Sequence, residues 1–290
     1  MTANRLETDT AATTIDTPLA LLRAVRGIAR RAGEVILQFY RPFVAGAALD
    51  ISRKADDSPL TAADLAAHRL IAAELAALTP DIPLLSEESA EIPYAERSRW
   101  SRFWLVDPLD GTKEFLARNG EFTVNIALID AHRAVLGVVH VPAQDVDYWG
   151  LASGGAWRAQ SADDAGTPIG VAAQLARPLR VVGSRSHRDD ALDAVLARLG
   201  PHELVTLGSS LKFCLLAEGR ADLYPRFGPT SEWDTAAAQA VLQGAGGAVL
   251  RLDGTALEYN RKVSLLNPPF VALAPAARDH LPLFAEVIAP

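Results

Sequence analysis

The sequence predicts a layered sandwich of α+β and α/β character, with an antiparallel sheet in its first half and alternating strands and helices in its second. Three observations carry this. Two stretches near the start, Pro18–Tyr40 and Thr61–Leu78, repeat apolar residues at helical spacing. Short apolar segments bounded by turn residues fill residues 84–158. After Pro178, strand-like and helix-like segments alternate.

Taken in order, Thr17-Pro18 reads as an N-cap followed by proline at the first helical position. Leu21, Leu22, Val25, Ile28, Ala32, Val35, Ile36 and Phe39 then mark an amphipathic helix ending near Tyr40, before Pro42. A second helix starts at Thr61, presents Ile71, Leu75 and Leu78, and stops at Pro80 and Pro83. Leu84-Leu85 and Phe103–Val106 read as short buried strands. Phe122–Ile129 alternates, Asp130–Arg133 turns it, and Ala134–Val141 returns. Val146–Leu151 and Ala156–Arg158 flank the turn Ser153-Gly154-Gly155, and Gln160–Gly170 reads as loop. Beyond Pro178 come a strand (Leu179–Val182), a helix (Asp189–Leu199), a strand (Leu204–Leu207), a helix (Leu211–Glu218), a helix (Thr235–Gln243) and a strand (Ala248–Leu252). The expected organisation is a flexible tail over 1–16, an α+β part over 17–170 carrying a metal site, and an α/β part over 171–290 carrying a specificity segment.

At 290 residues with 49% apolar content the chain is long enough for a substantial core. Its net charge of −7 disfavours sequence-independent nucleic-acid binding. An anionic small molecule stays open, because bound divalent cations invert a local field. The lone cysteine, Cys214, precludes an intrachain disulfide and fits a reducing compartment. Residues 1–16 lack the apolar core of a signal peptide, and no apolar run is long enough for a membrane span, so no integral membrane association is expected.

Chemistry concentrates in Asp107-Pro108-Leu109-Asp110-Gly111-Thr112. Proline stiffens this turn and glycine lets it bend, so two carboxylates and a carbonyl can face one hard cation. Four other places offer oxygen ligands or charge: Lys54–Asp64, Ser86-Glu87-Glu88-Ser89, Gly208-Ser209-Ser210-Leu211-Lys212 and Trp233-Asp234-Thr235. Singly, each has a plain alternative. Asp64 completes a capping-box-like start at Thr61, Asp234 could N-cap its helix, Glu87-Glu88 could be a solvated pair, and Asp110-Gly111 could be a turn. Together they match the oxygen-rich shell that Mg²⁺ prefers. The six histidines show no zinc-ligand spacing, and no Gly-x-Ser-x-Gly elbow or Walker loop is present.

The Asp107–Thr112 motif, the upstream Glu87-Glu88 and the later Trp233-Asp234 before a small-residue helix resemble the inositol monophosphatase superfamily over roughly residues 18–270. Lys54–Asp64, Phe115–Ile129, Gly208–Gly219 and Leu223–Thr230, with its Tyr-Pro-Arg-Phe-Gly-Pro run, look like 3′(2′),5′-bisphosphate nucleotidases of the bacterial CysQ type. The resemblance implies the sugar-phosphatase fold and a lithium-sensitive phosphomonoesterase using two to three Mg²⁺ ions. By position, Glu87, Asp107 and the Leu109 carbonyl would hold one ion; Asp107, Asp110 and Asp234 would hold a second. Asp64 and Thr112 would orient and deprotonate water, with Glu87 assisting. Glu87, Leu109, Asp110, Gly111, Thr112 and Asp234 would also meet the substrate. Ser209, Ser210, Lys212 and Arg226 are candidates for a second phosphate, the alternatives being a helix cap at Ser209, an exposed Lys212 and an acid-paired Arg226.

The implied reaction removes the 3′-phosphate from adenosine 3′,5′-bisphosphate or 3′-phosphoadenylyl sulfate, a task of sulfate assimilation. Alternatives are an inositol monophosphatase or fructose-1,6-bisphosphatase-like sugar phosphatase, or a non-catalytic nucleotide or metal sensor. The resemblance further implies a cytoplasmic monomer or homodimer, with peripheral association on the cytoplasmic face of the inner membrane as a variant.

Overall fold

The computed structural model describes residues 17–46, 51–53, 59–185 and 190–288, with backbone alone for 51–53, 59–61, 287 and 288. The expectations for the 1–16 tail and for Lys54–Ser58 lie outside the described residues. In chain order the elements are α1 (Pro18–Val44), β1 (Ile51–Arg53), β2 (Pro59–Thr61), α2 (Ala62–Leu78), β3 (Leu84–Ser86), α3 (Tyr94–Arg97), β4 (Arg102–Asp110), α4 (Thr112–Leu116), β5 (Thr123–Asp130), β6 (Arg133–Val141), β7 (Val146–Leu151), β8 (Gly155–Ala159) and β9 (Thr167–Ile169). They continue with β10 (Leu179–Ser184), α5 (Asp190–Leu199), β11 (His202–Leu207), α6 (Leu211–Ala217), β12 (Leu223–Arg226), α7 (Trp233–Gly244), β13 (Ala248–Arg251), β14 (Phe270–Leu273) and α8 (Leu281–Ile288).

Strands β3 to β9 form a seven-stranded sheet in sequence order, parallel between β3 and β4 and antiparallel thereafter. A five-stranded sheet runs β11-β10-β12-β14-β13. The layers follow from strand periodicity, since alternate side chains leave opposite faces. In β4, Trp104 and Val106 pack with Leu22, Val25 and Ile36 of α1 and Ile71 of α2. Phe103 and Leu105 face the other way and join Ala236, Ala237 and Ala240 of α7, beside which Phe213 of α6 packs on Tyr224 and Phe270 of the five-stranded sheet. On that sheet's outer face, Val181, Leu223 and Val271 pack with Val195 of α5 and Phe284 of α8. The result is a five-layer helix–sheet–helix–sheet–helix stack. Full burial of each of these large side chains is worth about 1.5–3 kcal/mol.

Helix α7 sits unusually close to the first sheet because its inner face is alanine and because β6 and β7 present Gly137 and Gly150 as register partners. A Cβ on Gly137 would lie 2.0 Å from the Ala237 carbonyl oxygen. That neighbour is backbone and cannot rotate away. Gly137→Ala is therefore expected to cost at least about 1–3 kcal/mol of stability, read as a lowered denaturant midpoint; an unchanged midpoint would contradict this packing.

Several elements depart from expectation. α1 runs on to Val44 with Pro42 inside its last turn; Ala45 N–H reaches the Arg41 carbonyl at 3.1 Å and Phe43 stacks on Phe115. α2 begins at Ala62 because Pro59–Thr61 is a strand paired with Ile51–Arg53. Phe122–Ile129 was expected to bury one face, but both faces are covered, since α7 lies over the second. Within Gln160–Gly170, Thr167–Ile169 pairs with β8. β12 contains Pro225, which normally argues against a strand. It is accommodated because pairing with β10 is confined to Val181 and Leu223, while the antiparallel pairing to β14 continues.

Candidate active site

Asp107 and Asp110 are three residues apart, so a regular strand would point them to opposite faces. The register of β4 on β5 shows how this is avoided. Asp107 pairs with Asn125 but Asp110 pairs with Thr123, so β4 carries one extra residue between them. This bulge, at Pro108-Leu109, resets the alternation and brings the second acid round to the first. Asp234 arrives from the first turn of α7. Ligand oxygens of Asp107, Asp110 and Asp234 lie within 4.8 Å of one another.

Protein donors hold one oxygen of each of these carboxylates. Asp107 Oδ1 accepts the Leu109 N–H at 3.0 Å. Asp234 Oδ2 accepts the Thr230 hydroxyl at 2.7 Å and the Ser231 N–H at 2.8 Å. Asp110 Oδ2 accepts the Ser210 N–H at 2.6 Å and lies 2.8 Å from the Ser210 hydroxyl. Each acid is thus oriented through one oxygen, leaving the other for a ligand. Oxygen donors without histidine or cysteine suit a hard divalent cation, so the residues present fit a metal of that class.

The electrostatics agree. Burial pushes the Asp107 carboxyl well above the usual range, and Glu87, Asp110, Asp234 and Asp64 push it further. Asp234 is raised to about 7, first by burial and then by Asp110, with Glu87 adding to it. Such crowding is unfavourable without a compensating cation.

A cavity of about 260 Å³ opens over these acids. Glu87, Leu109, Gly111 and Thr112 line it beside them. Glu87 begins a short 3₁₀ turn after β3. Gly111, at φ 90°, occupies the left-handed region that favours glycine and forms the cap of α4, which starts at Thr112. Asp64 is buried in the first turn of α2, near enough to raise Asp107.

Ser209, Lys212, Tyr224 and Arg226 line the same cavity. Strand alternation puts Tyr224 and Arg226 on one face of β12. Lys212 is buried, with its ammonium donating to the Ser209 carbonyl. Burial lowers it to about 8, partly offset by Asp110. Arg226 is 9% exposed and donates to the Pro229 carbonyl at 2.6 Å, while its buried Nε has no hydrogen-bond partner. Neither the exposed Lys212 nor the acid-paired Arg226 considered from sequence is what the fold contains. Asp234 lies inside its helix rather than at the cap, which is Glu232. Ser210 is buried against Asp110 rather than on the cavity wall.

Sequence reasoning missed Thr123 and Asn125 as site residues. Both are buried and reach Asp110 Oδ2, at 3.4 and 3.3 Å. A signal was available: Thr-Val-Asn-Ile-Ala places two polar groups on one face of an otherwise apolar strand.

This geometry defines the class. The inositol monophosphatase family pattern matches residues 19–286, and the chain belongs to that family of metal-dependent phosphatases. Among curated relatives, it is 51% identical over 250 residues to the 3′(2′),5′-bisphosphate nucleotidase CysQ of Salmonella typhimurium, covering 86% of this chain and 98% of the relative. It is 50% identical over 253 residues to the protein of that name from Escherichia coli K12, with the same coverage. Among solved structures, CysQ from Bacteroides thetaiotaomicron superposes with a TM-score of 0.74 at 40% identity, covering 87% of this chain and 96% of that one. The IMPase of Thermotoga maritima shares the fold at a TM-score of 0.75 and 22% identity, over 92% of this chain and 98% of that one.

Proposed function

We propose that this protein is a Mg²⁺-dependent phosphomonoesterase that removes the 3′-phosphate of adenosine 3′,5′-bisphosphate, and of 3′-phosphoadenylyl sulfate, in the cytoplasm. One observation carries the reading: a single cavity is lined both by the acids and by the buried cations Lys212 and Arg226. A substrate with two phosphates needs a cationic site besides the acid cluster, and a monophosphate does not. The names of the CysQ relatives support the same substrate. Among the described residues no helix is long and apolar enough to cross a membrane.

Glu87, Asp107 and the Leu109 carbonyl would hold one ion, and Asp107, Asp110 and Asp234 another, in a total of two to three. Bound there, such cations polarise the phosphoryl group and acidify water. The chain's own residues do the rest. Asp64 and the Thr112 hydroxyl orient the attacking water, and Thr112 relays its proton to the Asp64 carboxylate. The backbone N–H groups of Gly111 and Thr112 face the phosphoryl oxygens, where transition-state charge spreads. Ser209, Lys212 and Arg226 take the 5′-phosphate and fix the nucleotide's direction.

The test is phosphate release from adenosine 3′,5′-bisphosphate, inositol 1-phosphate and fructose 1,6-bisphosphate in parallel, with and without lithium. The bisphosphorylated nucleotide is expected to dominate; preference for either of the others would overturn the substrate assignment. Lys212→Met and Arg226→Met should each raise the KM for the nucleotide about 10- to 100-fold, the value of one lost charge-assisted hydrogen bond. Inositol 1-phosphate turnover should change less than about threefold in Arg226→Met, because this substrate has no second phosphate for Arg226 to hold.

A further inference from the structure

The metal-side acids and the loop carrying the second cationic wall are joined by a buried hydrogen-bond cluster of Thr123, Asn125 and Ser210. We propose that Ser210 and Asn125 are positioning residues that clamp Asp110 and make metal affinity depend on the loop from Leu207 to Lys212. The inference rests on the assignment of Asp110 as a metal ligand.

Four polar groups surround Asp110 Oδ2, two of them N–H donors and two hydroxyls that can each turn their one proton to another acceptor. Ser210 contributes its N–H at 2.6 Å and has its hydroxyl at 2.8 Å; Asn125 Nδ2 is at 3.3 Å and Thr123 Oγ1 at 3.4 Å. The Ser210 hydroxyl accepts Asn125 Nδ2 at 2.8 Å and also lies 2.8 Å from the Asp234 carbonyl oxygen. It therefore stands between two of the metal-side acids. Its single proton serves Asp110 or the Asp234 carbonyl, while the Asn125 amide occupies its acceptor side. Thr123 Oγ1 lies 3.1 Å from Asn125 Oδ1, which turns the amide nitrogen toward Asp110 and Ser210.

The cluster is built rather than incidental. Thr123, Asn125 and Ser210 are each at most 1% exposed. Thr123 and Asn125 are the cross-strand partners of Asp110 and Asp107, so the β4 bulge that aligns the acids also aligns their supports. On the loop side, Ser209 is held at φ 47°, a conformation uncommon for serine. Its carbonyl accepts the Lys212 ammonium, and a second Lys212 contact reaches the Leu207 carbonyl at 3.5 Å. The loop is thus tied by Lys212 at one end and by Asp110 at Ser210. Groups that hold a metal ligand from behind typically set 10- to 100-fold of metal affinity.

The experiment is calorimetric titration of the full chain with Mn²⁺ as probe, repeated for Ser210→Ala, Ser210→Thr and Thr123→Val. Ser210→Ala keeps the backbone N–H and loses the hydroxyl; its Mn²⁺ affinity should fall about 10- to 100-fold. Ser210→Thr returns a hydroxyl and should recover most of that loss. Thr123→Val preserves shape and should weaken binding about threefold, the value of the one neutral hydrogen bond that holds the amide of Asn125. It decides the matter if Ser210→Ala does not fold. Folded variants that bind Mn²⁺ like the parent overturn this inference alone. A parent protein that binds no divalent cation would instead overturn the metal reading beneath it.

Discussion

Asp107→Asn is expected to lose turnover by about a thousandfold or more, equivalent to roughly 4 kcal/mol of transition-state stabilisation, and yet to melt at a higher temperature than the parent in chelator. Both effects have one source. Asp107 is buried, and its carboxyl is raised first by that burial and then by four neighbouring acids. Asparagine removes the repelled charge, and its side-chain oxygen can still accept the Leu109 N–H that Asp107 accepts at 3.0 Å. Without metal, the substitution relieves a cost. With metal, it removes a charge from the acid cluster that would hold the cation. Near-normal activity at saturating Mg²⁺ would sink the metal assignment, and a lower melting temperature in chelator would contradict the crowding.

The second large effect concerns pH. Metal-free protein should be more stable near pH 5 than near pH 8. The sign follows from proton binding. Asp234 stands at about 7 in the fold, through burial and then Asp110, and Asp107 is also raised, whereas unfolded aspartate titrates at about 3.9. The folded state therefore binds more protons across that window, and stability falls as pH rises through it. A divalent cation reverses the trend by replacing those protons. At a hundredfold excess over its Kd it should add about 2.7 kcal/mol, or roughly 4–5 °C in melting temperature for a chain of this size. Melting curves at both pH values, with chelator and with Mg²⁺, check this. A metal-free protein equally stable at both would rule out the strained acid cluster.

The layered fold and the clustered acids were legible because they rest on local rules. Helical spacing marked α1 and α2, and turn-bounded apolar runs marked β4 to β8. The acidic motif carried its own chemistry, and three of its expected acids, Asp107, Asp110 and Asp234, do converge within 4.8 Å. What escaped depends on residues distant in sequence. Pro225 concealed β12, because only the short pairing with β10, confined to Val181 and Leu223, explains why a proline is tolerated there. Lys212 read as exposed in its plain alternative, because the wall that buries it comes from β12. Asn125 passed as a strand residue until Ser210, eighty-five positions later, arrived at 2.8 Å.

The contact between β6 and α7 has a consequence for how the family can vary. Asp234 is carried by a helix whose depth is gauged by bare backbone, since Gly137 meets the Ala237 carbonyl with no side chain between them. A gap filled by side chains would widen or narrow with each mutation that resized them. A gap set by main chain has one value, as a calliper closed on its stop has one reading. The interval between Asp107 and Asp234 is therefore gauged from this inner face rather than from the cores packed on the outer faces of the two sheets.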